Sequence, residues 1–414
     1  MAEAQIGSRL SQASLWQKYC RSQILDRLVE LPSGFLKVKE AGEVFYFGDE
    51  SQDLHAEIII NDISFYSRII LGGSLGAGEA YMEGLWSSPD LTKAVQLFAK
   101  NQALCDQIDS GLARFSGPLR RIGHWFNRNT KINAKRNISA HYDLGNDFYQ
   151  LFLDPSLMYS AAVYPTQDAS LAEASQYKLA LICQKLDLKA EHHLIEIGTG
   201  WGAMAIYAAK HYGCKVTTTT LSQRQYEYAC AQVKKAGLTQ QVSVLKQDYR
   251  DLTGQYDRLV SIEMIEAVGA EYYSDYFSKC SSLLKDDGRM LLQAITIKDQ
   301  RYDYYLNNVD FIQKYIFPGG ALPSLQVMMA QTAGHTDMLV SEVTDIGLHY
   351  ADTLADWRTA FVSQIEAVRK LGFEQRFIRM WLFYLAYCEG GFRERVISTV
   401  HFVADKPLYR ATVE

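Results

Sequence analysis

The run His193-Leu-Ile-Glu-Ile-Gly-Thr-Gly-Trp-Gly-Ala203 joins a short apolar strand to three glycines at alternate positions, and a helical pattern over 203–212 follows directly. A glycine-rich turn in this place lets backbone N–H groups approach a ligand at the start of a helix. The spacing is G-x-G-x-G (Gly198, Gly200, Gly202), whereas a dinucleotide site has G-x-G-x-x-G, so a nucleotide without a pyrophosphate fits better. Glu196, near the strand's end, offers a carboxylate to a positive group beside that turn. A tight strand-to-helix turn without a ligand is the plainer alternative, and the neighbouring segments decide between them.

Working outward, 171–186 has helical spacing, 215–220 is rich in β-branched residues, and 223–236 reads as a helix closed by Gly237. Strands are expected at 242–245, 256–262 and 290–297, with a helix over 272–284. Strands alternating with helices make a doubly wound α/β domain with a mostly parallel sheet. Ligands of such sheets lie at the carboxyl ends of the strands. Thr220-Leu221-Ser222-x-x-Gln225 stands there after the second strand, where a ribose contact belongs. Asp248-Tyr249-Arg250 follows the third, at the place of an adenine contact, and Glu263-Met-Ile-Glu-Ala-Val-Gly269 follows the fourth. Together with Glu196 for an amino-acid end, these pieces suit S-adenosylmethionine.

With 414 residues the chain has room for two or three domains. Residues 1–110 read as an α+β accessory domain, 111–137 as a basic linker and 138–414 as the catalytic domain. Between Asp109 and Asp143 there is no acidic residue, while Arg114, Arg120, Arg121, Arg128, Lys131, Lys135 and Arg136 alternate with aromatic and aliphatic side chains. Such a stretch suits an anionic lipid surface, and equally a solvated linker with docked aromatics. The net charge of −5 argues against nucleic acid as a partner. Seven cysteines without a CxxC pair and nine scattered histidines give no metal site. No apolar run approaches the roughly 18 residues of a membrane span. The nearest, 380–388, reads as a packed helix. The start lacks the basic and apolar regions of a signal peptide, so a cytoplasmic protein is expected.

Several ordered segments resemble the cyclopropane fatty acid synthase family, which includes the mycolic acid methyltransferases. They are Ile138-Ser-x-His-Tyr-Asp-Leu-x-Asn146, Leu157-x-Tyr-Ser160, the glycine turn, Thr220-Leu-Ser222 with Gln225, the Glu263–Gly269 run and Tyr315-Ile-Phe-Pro-Gly-Gly-Ala-Leu-Pro-Ser324. The resemblance implies a seven-stranded sheet of the S-adenosylmethionine methyltransferase type, with a smaller N-terminal domain that binds lipid. It implies a cis-unsaturated acyl chain of a membrane phospholipid as acceptor, a homodimer, and peripheral attachment to the inner face of the membrane. Carried over by position, Tyr159, Ser160, Gly198, Gly200, Thr220, Ser222 and Gln225 hold the cofactor. Glu196, Trp201, Gly202, Leu221, Asp248 and Tyr249 are taken with them from the same segments. A bicarbonate-type anion is implied as the base, in a site built from Glu266, Ile295 and Tyr350 beside positions 161 and 293. Position 161 is Ala161 where the family usually has cysteine, and Gln293 stands where many members have histidine. Glutamine there resembles a branch that still makes cyclopropanes, and a backbone N–H at 161 can still serve.

An alkene is a weak nucleophile, so catalysis lies in holding a sulfonium methyl about 3–3.5 Å from the π bond and excluding water. The resulting cation can be held by aromatic faces, worth about 2 kcal/mol or more when desolvated. Tyr350 and Tyr315 are the candidates among many tyrosines. His141 is read as structural or cofactor-adjacent. Loss of a proton from the added methyl closes a cyclopropane, whereas a hydride shift and loss elsewhere gives a methyl-branched or methylene chain. A non-catalytic lipid-binding protein and a methyltransferase for small molecules or nucleic acids are the other classes.

Overall fold

The computed structural model describes residues 13–109 and 144–410. The basic stretch 114–136, and positions 138–143 with His141, lie outside the described residues. The chain divides into two compact units, one from the described residues of Met1–Phe126, Asn307–Ile316 and Ile365–Val396, the other from those of Asn127–Leu306, Phe317–Gln364 and Ile397–Glu414.

In the first unit, β1 (Phe35–Glu40) lies between β2 (Glu43–Gly48) and β3 (His55–Ile60), and β4 (Trp86–Ser87) borders β3. Helices Ser64–Met82 and Leu91–Lys100 receive the long helix Gln375–Arg393. That helix buries Trp381, Phe383, Tyr384, Leu385 and Ala386, which accounts for the apolar stretch 380–388. Its Glu389 accepts a hydrogen bond from the Thr92 hydroxyl at 2.9 Å inside the unit. The expectation of one continuous catalytic segment over 138–414 is therefore corrected. Asn307–Ile316 and Ile365–Val396 leave it because their apolar faces are buried with the N-terminal residues. A Cβ on Gly78 would stand 2.6 Å from Phe311 and 2.8 Å from Phe383. We expect Gly78→Ala to destabilise this unit by about 1–3 kcal/mol, an overpacking cost that urea unfolding would register. No change would show that the two rings move aside freely.

The second unit is built on seven strands: β5 (His193–Ile197), β6 (Lys215–Thr219), β7 (Val242–Leu245), β8 (Tyr256–Ile262), β9 (Leu284–Ile297), β10 (Leu339–Asp345) and β11 (Ile397–Asp405). Their order is β10-β11-β9-β8-β5-β6-β7. The five from β9 to β7 are parallel, and β11 runs antiparallel to both β9 and β10. Along β5, Ile195 and Ile197 enter the core on one side and Leu194 that on the other, the two-residue period of a strand covered on both faces. The chain winds outward from β5 through β6 to β7, then crosses back to β8 and β9. The turn after β5 thus sits where the winding reverses, and that is where such sheets bind ligands. The helix Leu171–Lys185 starts in a capping box: the Ser170 hydroxyl accepts from the Glu173 N–H and the Glu173 carboxylate from that of Ser170.

Candidate active site

Gly198, Gly200 and Gly202 all have positive φ (103°, 52° and 93°), a conformation that costs a side-chain-bearing residue free energy. The N–H groups of Gly198 and Thr199 both donate to the Thr219 carbonyl, which ties the turn to the end of β6. Two of the glycines answer to different demands. A Cβ on Gly202 would stand 3.2 Å from Ala229 Cβ, so this residue lets two helices approach, whereas a Cβ on Gly200 would meet nothing within 4 Å. The space at Gly200 is open to a ligand, and the trailing Trp201 is anchored by its indole N–H donating to Asn146 Oδ1 at 2.9 Å.

Around this turn the expected cofactor residues divide by what already occupies them. Thr220 donates its hydroxyl to Gln225 Oε1 at 2.9 Å and accepts from the Ser222 N–H, while the Ser222 hydroxyl caps the helix Gln223–Lys235. These three shape the rim after β6, with Leu221 half-buried between them. Asp248 is gripped by the Arg250 guanidinium at 2.8 and 2.6 Å, and Tyr249 packs edge-on against Tyr276. Glu196 is buried, with Thr218 Oγ1 at 2.6 Å from its carboxylate, and Thr218 Oγ1 in turn lies 2.7 Å from Thr199 Oγ1. Burial without a cation raises the Glu196 carboxyl to about 8. An open cradle beside a buried carboxyl fits a small cationic nucleotide.

A second cluster stands at the ends of β8 and β9. Glu263, in the left-handed region at φ 48°, holds its carboxylate between three donors. The Ala161 N–H and the Gln293 amide each reach Oε1 at 2.8 Å, and the Tyr350 hydroxyl reaches Oε2 at 2.8 Å. Glu266 beside it accepts from the Ile295 N–H through Oε1, and its Oε2 is buried with no protein partner. Burial, and then the neighbouring charge of Glu263, push the Glu266 carboxyl up to about 8. The five positions expected to frame a base, Ala161, Glu266, Gln293, Ile295 and Tyr350, are thus brought together. The implied bicarbonate-type anion does not fit among them as they stand. All four donors expected to grip it already end on a protein carboxylate.

Sequence reasoning missed four residues of this cluster. Glu263 was quoted only as the start of a motif. Lys178, wholly buried, donates to the Ser160 hydroxyl at 2.7 Å, and burial lowers its amine to about 8 against the pull of Glu263 and Asp154. His401 lies with Nε2 3.1 Å from Gln293 Oε1, and burial drops it to about 3, so the imidazole is neutral. Its Nε2–H therefore donates to the Gln293 oxygen, which turns the Gln293 amide nitrogen toward Glu263. Trp357, also wholly buried, completes a run of rings: Trp201 to Tyr149 (5.1 Å), Tyr149 to Tyr159 (5.3 Å), Tyr159 stacked on Trp357 (5.1 Å), and Trp357 edge-on to Tyr350 (6.0 Å). The run leads from the glycine turn to the carboxylate cluster. Tyr315, the other tyrosine expected at the cation, belongs to the first unit, where its hydroxyl donates to Glu79 at 2.9 Å.

A glycine turn at the point of reversal and a carboxylate cluster after the neighbouring strand β8 narrow the choice of family. Residues 129–402 match the model of one, described as mycolic acid cyclopropane synthetase. The chain belongs to that family. Like other mycolic acid cyclopropane synthetase relatives, it is an S-adenosylmethionine-dependent C-methyltransferase. It is 38% identical over 337 residues to tuberculostearic acid methyltransferase UfaA1 of Mycobacterium tuberculosis, covering 79% of this chain and 77% of that one. It is 37% identical over 345 residues to the cyclopropane-fatty-acyl-phospholipid synthase of Escherichia coli K12, covering 83% and 86%. Among solved structures, mycolic acid cyclopropane synthase CmaA1 complexed with SAH and CTAB aligns with a TM-score of 0.62 at 32% identity, over 66% of this chain and 98% of that one. No described helix is long and apolar enough to cross a membrane.

Proposed function

We propose that this member of the family transfers a one-carbon unit from S-adenosylmethionine to the cis double bond of a phospholipid acyl chain and closes a cyclopropane. The observation that carries the reading is the run of rings between the glycine turn and the carboxylate cluster. Bound at the turn, S-adenosylmethionine supplies an electrophilic methyl on a sulfonium. Gly200 leaves room for it, Glu196 takes its ammonium end, and the rims at Ser222 and Asp248 hold the nucleoside. Tyr159 and Trp357 wall the path of the acyl chain and keep water from it. Alkylation leaves positive charge on the acyl chain, and the faces of Trp357 and Tyr350 lower its energy. A base among Ala161, Glu266, Gln293, Ile295 and Tyr350 then removes a proton. Because the acceptor lies in a bilayer, the protein works at a membrane surface, on the inner leaflet.

A second reading keeps the transfer and changes the ending. UfaA1, at 38% identity, is named for methyl transfer and not for ring formation. In that ending a hydride shifts from the methylated carbon to its cationic neighbour; proton loss from the added methyl then leaves a methylene chain, and proton loss from an adjacent acyl carbon a methyl-branched alkene. Mass spectrometry of lipids from a host without such an enzyme, expressing this chain, tests both. A gain of one CH2 per unsaturated chain, resistant to mild hydrogenation, is expected. A product consumed by hydrogenation moves the assignment to the second ending, and no gain at all overturns both.

A further inference from the structure

We propose that the proton acceptor in this chain is its own Glu263 carboxylate, fixed where the family resemblance puts an exchangeable anion. The inference rests on the transfer reaction proposed above and holds for either ending.

The donors carry the argument. An anion at this place would be gripped by the Ala161 N–H, the Gln293 amide, the Tyr350 hydroxyl and the Ile295 N–H. The first three end on Glu263 and the fourth on Glu266. A second anion would meet two carboxyl groups and no free donor of that set, and like charges at such range repel strongly. Burial raises both carboxyls, and the donors bear on them unequally. Burial raises the Glu263 carboxyl above its ordinary value, but three hydrogen bonds and the attraction of the Lys178 ammonium work against burial and support its ionised form. For Glu266, burial first and then the charge of Glu263 outweigh its backbone donors and favour the neutral form. A carboxylate has about four lone-pair positions, and Glu263 spends three, leaving one on Oε2. The residue as a whole is half-buried.

The backbone gives a second sign. Glu263 sits at φ 48°, where glycine would be unstrained. A side chain kept at such a position is held by what the side chain does.

The electrons balance without another reactant. The π pair forms the new C–C bond, and the S–CH3 pair stays on sulfur. The C–H pair of the added methyl closes the ring onto the cationic carbon while the proton goes to Glu263. In the other ending a hydride and its electron pair first move from the methylated carbon to the cationic one; the proton then comes from the methyl or from an adjacent acyl carbon, its C–H pair becomes the double bond, and the acceptor is the same.

The test compares wild type, Glu263→Gly and Glu263→Gln on vesicles of unsaturated phosphatidylethanolamine, in CO2-free buffer with and without bicarbonate or formate. Wild type is expected to turn over equally in both. Glu263→Gly relieves the left-handed strain and should fold; its rate is expected to fall at least about a hundredfold and to be partly restored by either anion, which enters the vacated space. Glu263→Gln fills that space without a charge and is expected to lose the rate without rescue. Thermal unfolding reads the same contrast without turnover: bicarbonate raises the melting temperature of Glu263→Gly and leaves wild type unmoved. The proposal is overturned if wild type needs bicarbonate or is stabilised by it. It also falls if Glu263→Gly keeps its rate unaided, or gains neither rescue nor stabilisation. Should wild type methylate no lipid in any buffer, the transfer reading fails while the melting contrast still decides the anion question.

Discussion

Glu266→Ala is expected to lower methyl transfer at least about a hundredfold, whereas Glu266→Gln keeps it within about tenfold of wild type. The difference follows from the protonation of this carboxyl. Burial and the charge of Glu263 raise it to about 8, so at neutral pH it carries its proton and works as a neutral acceptor for the Ile295 N–H. Glutamine reproduces both the carbonyl oxygen and an N–H in place of the O–H. Alanine leaves the Ile295 N–H unpaired, a penalty of about 1–3 kcal/mol, and opens a void beside Glu263. A hundredfold corresponds to roughly 2.7 kcal/mol, within reach of those two costs together. The pH dependence has a definite sign. Above about pH 8 wild-type Glu266 ionises against Glu263, so activity is expected to fall on the alkaline side, and the fall to vanish in Glu266→Gln. Initial rates of both variants from pH 6 to 9 check this. Equal losses in glutamine and alanine would mean that Glu266 acts as a carboxylate, and the division of charge between the pair would be wrong.

What was legible in the sequence was local. The strand, the three glycines and the helix after them are neighbours in the chain, and their geometry follows from alternation and from positive φ. The cap at Gly237 is equally short-range. Glu263 was different. Its meaning depends on donors at positions 161, 293 and 350, which only the folded sheet brings together. Two substitutions that looked like weaknesses of an anion site, Ala161 and Gln293, both touch the residue that fills it. A signal did exist for Lys178: it shares a helical stripe with Ala174, Leu179 and Ile182, and a charge on an apolar stripe asks for a partner. The helix Gln375–Arg393 shows the limit from the other side. Chain order suggests the catalytic domain, and nothing local says that its apolar face is buried against Ser64–Met82 and Leu91–Lys100.

Binding of S-adenosylmethionine at pH 7 is expected to release close to one proton, and Glu196→Gln to abolish the release and weaken binding about a hundredfold. Glu196 is buried and its carboxyl stands at about 8, so at pH 7 the ligand-free protein holds this group roughly nine-tenths protonated. A cation arriving beside it favours the ionised form, so the proton leaves as the ligand enters. Affinity is therefore expected to rise about tenfold per pH unit below pH 8 and to level off above it. The stability of the ligand-free protein runs the other way. A carboxyl raised from 4.5 to about 8 in the folded state binds its proton more tightly there than in the unfolded chain. Its contribution is present below the unfolded value and is lost as pH climbs toward 8, at roughly 1.4 kcal/mol per pH unit. Calorimetric titration in two buffers of different ionisation enthalpy measures the proton directly. If the heat is the same in both buffers and Glu196→Gln binds as tightly as wild type, Glu196 is only a strut that Thr218 holds inside the sheet. The ammonium end of the cofactor would then have to be sought at another carboxylate.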